Sequence, residues 1–369
     1  MIEKLELVNF KCFGHAELEL QNLTILTGAN ATGKSSVIQA LILAEHTNKC
    51  GSNLDGKWEK VSIDINQVFG FQIGAPNALV SQNPEEEENC DFAVSVYEDG
   101  EEHLFQYRIN MASPLELGVK SGKLFKMRNF QYLNAERVGP RVSNRAGKGD
   151  GLTFDGENAA YIIETADRTE RPVAETLKLN LPESNQFSYF VEQWMSAILS
   201  DLQLDIHTDY NKAITELRIK NALVDSGVVP TLTGFGISYV LPIVVAGLWA
   251  SSEKDAVLLL ENPEAHLHPL AQSNMGKFLA LLTACGVQVI VETHSEHIID
   301  GARYQLACMG ETENAVIHYM ENDKERILIH PIYVSEQGEL SSWPKGFFDQ
   351  KRNDLRDIMM LRRGNAKSE

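Results

Sequence analysis

The sequence predicts an α/β protein with a mixed or parallel sheet, an antiparallel β lobe and a small helical insert. Three patterns predict this class. Buried-type strands alternate with helices after residue 240, turn-separated strand patterns occupy residues 58–134, and an amphipathic helical pattern covers residues 190–199. With 43% hydrophobic and 23% charged residues, the composition is that of an ordinary globular protein.

The length of 369 residues predicts about two domains or one large one. The changes in pattern along the chain divide it further into four parts. We expect an N-terminal lobe, a helical and loop insert, a C-terminal lobe and a C-terminal extension, at residues 1–139, 140–220, 221–326 and 327–369.

The N-terminal segment predicts two strands over residues 2–27. The first follows the alternation of Ile2–Leu7, and the second is the short apolar run Leu23–Thr27. A glycine-rich turn comes next, followed by a helix over Lys34–Glu45. The order strand, loop, helix is the context that a phosphate-binding loop requires.

Strand patterns then run from Trp58 to Asn134, separated by turn signals, and predict the second, β-rich lobe. Residues 140–155, rich in Gly, Arg, Ser and Asp, are predicted to form a loop, and residues 156–200 to be mainly helical. The segment Leu202–Lys220 is compatible with a return to strand.

Alternating buried strands and helices in the C-terminal lobe predict a parallel sheet. The predicted elements are helix Val240–Ala250, strand Ala256–Leu260, helix Leu270–Leu282, strand Val287–Glu292 and a helix that begins near Glu296. From about Ile327 the tail predicts short strands and then a polar helix.

The segment Gly28–Ser35, GANATGKS, matches the P-loop pattern GxxxxGK[ST] at every position. Its glycines let backbone N–H groups close on phosphate oxygens, and the following helix directs its positive end at the anion. We expect Lys34 to reach the β- and γ-phosphates of ATP and Ser35 to ligate Mg²⁺. A glycine-rich turn without a ligand is the alternative, and the strand and helix around the loop argue against it. The predicted ATP-binding residues are Asn30, Ala31, Thr32, Gly33, Lys34, Ser35 and Ser36.

The apolar strand Ala256–Leu260 ends in two carboxylates three residues apart, Glu261 and Glu264. Beside a P-loop, the first can hold Mg²⁺ and the second can orient or deprotonate the attacking water. An acidic strand end without a function is the alternative. The segment resembles the Walker B region of ABC-type ATPases, with Glu261 where Asp is usual. The resemblance implies an ABC-type ATPase head and makes Glu264 the candidate catalytic base.

The next buried strand ends in Glu292-Thr-His-Ser, and the resemblance implies that His294 is the switch histidine that senses the γ-phosphate. With Lys34 and Glu264, His294 completes the predicted catalytic set. His266 and His268, close to Glu264, allow a metal site as an alternative, but a pair without a third ligand is weak evidence.

A loop resembling the ABC signature precedes the helix before the acidic strand. Its candidate residues are Thr233, Gly234, Gly236 and Ser238. It departs from LSGGQ, because Thr233 replaces Ser and Phe235 separates the glycines. In the ABC class this loop binds the γ-phosphate of the ATP held by the opposite subunit, which implies a homodimer or a higher homo-oligomer.

The order of motifs resembles compact ABC ATPases related to RecF, to SMC proteins and to the overcoming-lysogenization-defect nucleases. The phrases Leu259–Pro269 and Glu292–His297 are most similar to bacterial predicted ATPases of anti-phage defence operons, and Gln131–Arg141 and Ser342–Asp349 share that similarity. After residue 300 we find no acidic cluster of a Toprim nuclease.

The loop after the predicted strand that ends near Tyr132 lies where the class senses Mg²⁺ or a partner. Glu136 and Arg137 are therefore candidate sensor residues. The alternative for Arg137 and its neighbours Arg141, Arg145 and Lys148 is solvated charge on a loop.

Two hypotheses of function follow. The first is a slow ATPase that dimerises on ATP and switches a separate effector, such as a nuclease, in anti-phage defence. The second is a RecF- or SMC-like ATPase that binds DNA directly in repair or chromosome maintenance. The net charge of −18 favours the first and leaves nucleic-acid binding possible only through a local basic surface. A P-loop small-molecule kinase is disfavoured, since it needs neither a signature loop nor His294.

We expect a cytoplasmic protein that does not enter a membrane. Val240–Ala250, the longest apolar run, has about half of the roughly 20 residues that a membrane span needs. The N-terminus lacks the layout of a signal peptide, and the five scattered cysteines suggest neither a zinc ribbon nor a disulfide framework.

Overall fold

The computed structural model describes residues 1–50, 57–63, 65–68, 70, 74, 76–84, 90–109, 116–126, 128–147, 151–179, 184–221, 224–324 and 326–365. The strands are β1 Ile2–Phe10, β2 Phe13–Glu19, β3 Leu23–Gly28, β4 Glu59–Ser62, β5 Phe92–Glu98, β6 Glu101–Ile109, β7 Glu116–Ser121, β8 Asn129–Leu133, β9 Ser143–Arg145, β10 Gln203–Asp209, β11 Ile214–Asn221, β12 Val224–Val228, β13 Ala256–Glu261, β14 Gln288–Glu292, β15 Ala315–Asn322 and β16 Ile327–Tyr333. The helices are α1 Lys34–Cys50, α2 Ile65–Val68, α3 Ala159–Arg168, α4 Phe187–Ile198, α5 Phe235–Ala250, α6 Pro269–Thr283, α7 Glu296–Met309 and α8 Gln350–Asn365.

The central sheet has six strands in the order β16-β15-β3-β14-β13-β8. All neighbouring pairs are parallel except β15 and β16. Every residue of β13 and β14 is buried, which explains their almost continuous apolar sequences, because a parallel strand covered on both faces has no solvent side. The predicted α/β class with a mixed or parallel sheet is confirmed.

Alternate residues of β13 enter two different cores, as the two-residue period of a strand requires. Leu258 and Leu260 belong to the core that α4, α5, α6 and α7 build on one face of the sheet. Val257 and Leu259 belong to the core that α1 and the β lobe build on the other face. The carboxyl end of β13 is therefore held from both sides, which positions the loop that follows it.

The β lobe is an antiparallel sheet in the order β2-β1-β5-β6-β7-β4. The prediction of two strands over residues 2–27 is wrong, because β1 and β2 form a tight hairpin before β3. Lys11 makes the turn with a positive φ of 54°. The last strand of the predicted β region, β8, leaves the lobe and joins β13 in the central sheet.

The predicted helical insert contains α3 and α4 but also strands. Strands β9 to β12 form a four-stranded sheet, and β12 extends it beyond the boundary drawn at residue 220. β9 lies within the predicted loop at residues 140–155, where it pairs with β11. A three-residue strand leaves no periodic pattern, so its existence depends on its partner β11.

Two predicted helix boundaries differ from the structure by five residues, and the predicted start of α7 is confirmed. α1 continues five residues past Glu45 to Cys50, and Thr47 and Asn48 in this last part are buried. α5 begins at Phe235 rather than Val240, so the signature-like loop overlaps its first turn. α7 begins at Glu296, where Ser295 caps it by accepting hydrogen bonds from the N–H groups of His297 and Ile298. Among the described residues, no helix has the length and hydrophobicity needed to cross a membrane.

Candidate functional site

The P-loop joins β3 to α1, and its shape depends on two glycines. Gly28 has φ +140°, and a Cβ there would stand 2.1 Å from the carbonyl oxygen of Met320. Gly33 has φ +90°, and its Cβ would stand 2.4 Å from the ring of Phe13. The Thr32 hydroxyl donates to the Ala29 carbonyl at 2.9 Å and closes the loop. The predicted phosphate loop is therefore a tight turn that only glycine permits at these positions.

Lys34 is almost fully buried, and its ammonium group folds back over the loop. Its Nζ donates to the carbonyl oxygens of Gly28 at 3.2 Å and Ala29 at 2.6 Å. Nζ also lies 3.9 Å from a carboxylate oxygen of Glu292. Burial lowers the pKa of Lys34, and Glu292 and Glu264 oppose that shift. The Lys34 ammonium group is therefore already positioned at the loop where a phosphate would bind.

Ser35, the predicted Mg²⁺ ligand, donates a hydrogen bond from its hydroxyl to Oε2 of Glu292 at 2.7 Å. Glu292 ends β14 and is buried. Burial raises the pKa of Glu292, whereas Ser35 and Lys34 act in the opposite direction. Sequence reasoning missed Glu292. The available signal was its place at the end of a buried strand, directly before Thr293 and His294.

Glu261, the other predicted Mg²⁺ ligand, ends β13 and is buried. Its carboxylate accepts a hydrogen bond from the Tyr132 hydroxyl at 2.9 Å and from the Ala135 N–H at 3.2 Å. Burial, and then the nearby charge of Glu292, raise the pKa of Glu261 to about 7. Burial and Glu261 also raise the pKa of Tyr132. Tyr132 was not predicted as a site residue, because its contact depends on the pairing of β8 with β13.

Arg137 is not on a solvated loop, and that alternative is wrong for this residue. It is 3% exposed and donates to three carbonyl oxygens, those of Asn134 at 2.9 Å, Glu261 at 2.6 Å and Asn262 at 2.6 Å. Burial lowers the pKa of Arg137 to about 10. Its guanidinium group therefore fixes the backbone at Glu261 and Asn262. Glu136 beside it is exposed.

Arg141 and Arg145, the neighbours of Arg137 in the predicted basic cluster, are exposed. The Arg141 guanidinium lies 3.2 Å from the carboxylate of Glu157. Lys148 lies outside the described residues.

Glu264, the candidate base, is linked directly to the loop that carries the candidate switch histidine. Its Oε2 accepts from the Thr293 hydroxyl at 2.7 Å, and its Oε1 accepts from the backbone N–H of His294, also at 2.7 Å. The His294 ring is exposed, with Nε2 4.0 Å from Glu292. The two predicted catalytic residues are therefore one hydrogen-bonded unit at the ends of β13 and β14.

These groups border a cleft of about 310 Å³. The residues that line it are Asn30, Ala31, Thr32, Gly33, Lys34, Ser35, Ser36, Glu292 and His294. All seven predicted ATP-binding residues are among them, together with the switch histidine. Glu261 and Glu264 lie behind this lining. Glu261 is the neighbour of Glu292 in the sheet, and Glu264 is hydrogen-bonded to the loop that carries His294.

The signature-like residues lie elsewhere on the chain, and none of them lines the cleft. Gly234 precedes α5 with extended backbone angles and is exposed, and no atom lies within 4 Å of a Cβ built on it. Thr233 donates to the Pro230 carbonyl at 2.8 Å, while Gly236 and Ser238 are half-buried in the first turn. Leu232 is 75% exposed and Phe235 53% exposed beside this helix start.

The two histidines near Glu264 are not part of a metal cluster within the described chain. The His266 ring packs against Tyr239, with ring centroids 4.6 Å apart. Among described residues, the one group of three potential ligands is Glu6, His15 and Glu17 on the β lobe. Ser35 in the cleft and Glu261 behind its lining offer a hydroxyl and a carboxylate oxygen, the type of donor that Mg²⁺ prefers.

Residues 23–300 match the sequence model of a family described as "AAA domain, putative AbiEii toxin, Type IV TA system". Residues 311–358 match a second family, described as "Protein of unknown function (DUF3696)". No curated protein shows a significant match to the chain.

Solved structures share the fold at low sequence identity. An SMC head bound to the C-terminal winged-helix domain of ScpA has a TM-score of 0.56 at 12% identity and covers 91% of this chain and 98% of its own. An SMC head with an extended coiled coil, bound to the C-terminal domain of ScpA from Pyrococcus furiosus, has a TM-score of 0.53 at 12% identity, with coverage of 97% and 99%. The SMC head domain of Thermotoga maritima has a TM-score of 0.47 at 14% identity, with coverage of 90% and 99%.

Proposed function

The chain belongs to the AAA-domain family of the AbiEii type, and from this premise we propose that it binds and hydrolyses ATP as a dimerising molecular switch. The fold is that of the SMC and ABC ATPase heads. The observation that carries the proposal is the pair of hydrogen bonds from Thr293 and His294 to Glu264, whose charge also acts on Lys34. They couple the candidate base to the loop that would contact the γ-phosphate.

In the proposed reaction the P-loop holds the phosphates of ATP and Lys34 compensates their charge. Mg²⁺, when bound by Ser35 and Glu261, supplies charge neutralisation at the β- and γ-phosphates. Glu264 orients and deprotonates the attacking water, since its carboxylate is already fixed by two donors. His294 contacts the γ-phosphate and so reports whether ATP or ADP occupies the site.

The signature-like start of α5 is proposed to act on the ATP of a second copy. Two features support this assignment: none of its residues lines the chain's own cleft, and Gly234 is exposed at a helix N-terminus. Each nucleotide would then lie between two copies, and hydrolysis would release them. We expect slow turnover, because each cycle requires the dimer to open.

The proposed biological role is that of a sensor subunit in an anti-phage defence complex, where the dimer controls a separate effector such as a nuclease. The resemblance of Leu259–Pro269 and Glu292–His297 to ATPases of defence operons supports this role. The family description, which names a toxin of a toxin–antitoxin system, supports a two-component arrangement. Glu136, exposed beside Arg137, is the candidate contact for such a partner.

The alternative is an SMC-like ATPase that binds DNA directly. The fold shared with SMC heads favours it, whereas the net charge of −18 disfavours it. A titration of labelled duplex DNA at salt concentrations between about 50 and 200 mM separates the two. For the switch we expect binding no tighter than about 10⁻⁶ M at physiological salt, with and without ATP. Tight and strongly salt-dependent binding by the purified protein would favour the alternative.

Sedimentation of the wild-type protein with Mg²⁺ and a non-hydrolysable ATP analogue tests the switch itself. We expect a monomer without nucleotide and a dimer with the analogue. A single sedimentation coefficient under both conditions, with the analogue shown to be bound, would contradict the switch.

A further inference from the structure

We propose that Glu292 is a cation ligand of the active site and forms, with Glu261 and Ser35, a divalent-metal centre with two protein carboxylates. This inference rests on the proposed function, since it concerns the cation that accompanies ATP. It adds a residue that the P-loop and Walker B patterns do not contain. The sheet register, the repulsion between the two carboxylates and the contact with Ser35 support it.

The sheet register places the two carboxylates side by side. β13 and β14 are parallel neighbours, and Glu261 is the register partner of Glu292. Partners in adjacent strands project to the same face of a sheet, so both side chains leave the same edge in the same direction. Both residues are buried, with exposures of 7% and 6%. Two acidic side chains are thus enclosed side by side, and of the two only Glu292 lines the cleft.

The two carboxylates repel each other, although the Lys34 and Arg137 cations lie close to them. The Lys34 ammonium lies 3.9 Å from Glu292, and the exposed His294 ring lies 4.0 Å from it. Glu261 accepts only neutral donors, a tyrosine hydroxyl and a backbone N–H. Arg137 uses its two terminal guanidinium nitrogens on backbone carbonyls. Enclosing two carboxylates side by side is unfavourable, and a divalent cation between Glu261 and Glu292 would remove their repulsion.

The contact with Ser35 has the spacing of two ligands on one ion. Oγ of Ser35 and Oε2 of Glu292 are 2.7 Å apart. Two neighbouring ligands of an octahedral Mg²⁺ with bonds of about 2.1 Å are about 3.0 Å apart. The P-loop serine and Glu292 can therefore bind the same cation with little movement. Without a cation, the hydrogen bond from the Ser35 hydroxyl to Glu292 holds the two oxygens at this distance.

The test measures Mn²⁺ affinity by electron paramagnetic resonance, with a non-hydrolysable ATP analogue bound to the full-length chain. For Glu292→Gln we expect Mn²⁺ affinity to fall by about tenfold or more, which is the range for residues that support a metal centre. Affinity for the analogue in EDTA should stay within about twofold, because glutamine keeps the size of the side chain and a hydrogen-bond acceptor for Ser35. A structural role alone would not separate these two affinities.

Two further variants serve as comparisons. Glu261→Gln should weaken Mn²⁺ binding to a similar extent. Glu101→Gln removes one negative charge from an exposed position on β6 of the β lobe, and it should leave Mn²⁺ affinity unchanged. Glu292→Asp keeps the charge but shortens the side chain, and we expect a smaller loss of about threefold, in the direction that longer metal contacts predict.

The outcomes separate this inference from the proposed function. Wild-type Mn²⁺ affinity in Glu292→Gln, with weakened binding in Glu261→Gln, would overturn the role of Glu292 and leave the ATPase proposal intact. If Glu292→Gln does not fold, unchanged Mn²⁺ affinity in Glu292→Asp would overturn it equally. Failure of the wild-type protein to bind the analogue at all would instead refute the proposed function.

Discussion

The P-loop cleft and the signature-like start of α5 are the two candidate halves of one nucleotide site, and they differ in how far the chain satisfies their polar groups. In the cleft, Lys34 donates to two carbonyls, Ser35 donates to Glu292, and Glu264 accepts two hydrogen bonds. At the start of α5, Gly234 provides no side-chain cap and the adjoining Phe235 is exposed.

The difference indicates which half is preorganised and which half lacks its partner. A helix N-terminus leaves backbone N–H groups without intrahelical acceptors, so it favours an anion or a capping group. In this chain the anion would have to come from another molecule, because the cleft does not include α5. The comparison therefore supports the proposal that the P-loop half determines nucleotide affinity and the signature half determines dimerisation. The following variants test that division.

The largest effect is expected for Glu264→Gln, which removes the candidate base and keeps its shape. We expect ATP hydrolysis to fall by about 10²- to 10³-fold, the contribution typical of a positioned general base. Nucleotide binding should persist, so the ATP-bound dimer should accumulate. Phosphate release and sedimentation with and without ATP measure the two effects.

Glu313→Gln provides the control for Glu264→Gln, because Glu313 is exposed in the turn after α7. It should hydrolyse ATP at the wild-type rate. Hydrolysis at a similar rate in Glu264→Gln and in the wild type would remove Glu264 from the mechanism.

Arg137→Ala should strongly destabilise the P-loop half, because it leaves three carbonyl oxygens without their donor. We expect the free energy of unfolding to fall by about 3 kcal/mol, as for the loss of a buried charged hydrogen-bond partner. Urea denaturation measures it. Arg141→Ala, from the same segment but exposed and paired only with Glu157, should cost less than about 1 kcal/mol. Equal losses in both variants would contradict the role of Arg137 in fixing this backbone.

Lys34→Ala should weaken nucleotide binding by about 100-fold, because a charged hydrogen bond to phosphate is worth up to about 3 kcal/mol. Fluorescence titration with a labelled ATP analogue measures the affinity. Lys49→Ala is the matched control, since Lys49 is an exposed residue at the other end of α1. Wild-type affinity in Lys34→Ala would show that the P-loop half does not determine nucleotide affinity.

Local patterns explain which parts of this division could be predicted from the sequence. The P-loop and the apolar strands β13 and β14 are contiguous segments with their own signals, so the α/β class could be inferred directly. The contacts of Glu292 and Tyr132 could not, because they require the order β3-β14-β13-β8 in the sheet. Such pairing joins residues about 130 positions apart, as in the bond from Tyr132 to Glu261.

The burial of the Arg137 side chain also could not be predicted from the sequence. Arg137 stands among Gly, Pro and further Arg residues, a composition typical of exposed loops. Its burial follows from the carbonyl oxygens that end β13 and β8, and these become acceptors only when the two strands pair. The roles predicted for the site residues stay predictions, and the variants described here test them.

The smallest effect, and the sharpest test of the comparison, is expected for Gly234→Asp. Gly234 has extended backbone angles of φ −71° and ψ 147°, and a Cβ at this position meets no atom within 4 Å. The isolated chain should therefore accept aspartate, with a gain of about 0.3 kcal/mol from capping α5. The same carboxylate would occupy the position proposed for the γ-phosphate of a second copy.

For Gly234→Asp we thus expect unchanged nucleotide affinity and a dimerisation constant about tenfold weaker, by like-charge repulsion between carboxylate and phosphate. Sedimentation at several protein concentrations with the non-hydrolysable analogue measures it. Gly234→Ser caps the helix without adding charge and should dimerise more tightly than the aspartate variant. If both variants dimerised as the wild type does, the start of α5 would have no part in the interface. A loss of nucleotide affinity in Gly234→Asp would instead mean that the two halves meet within one chain.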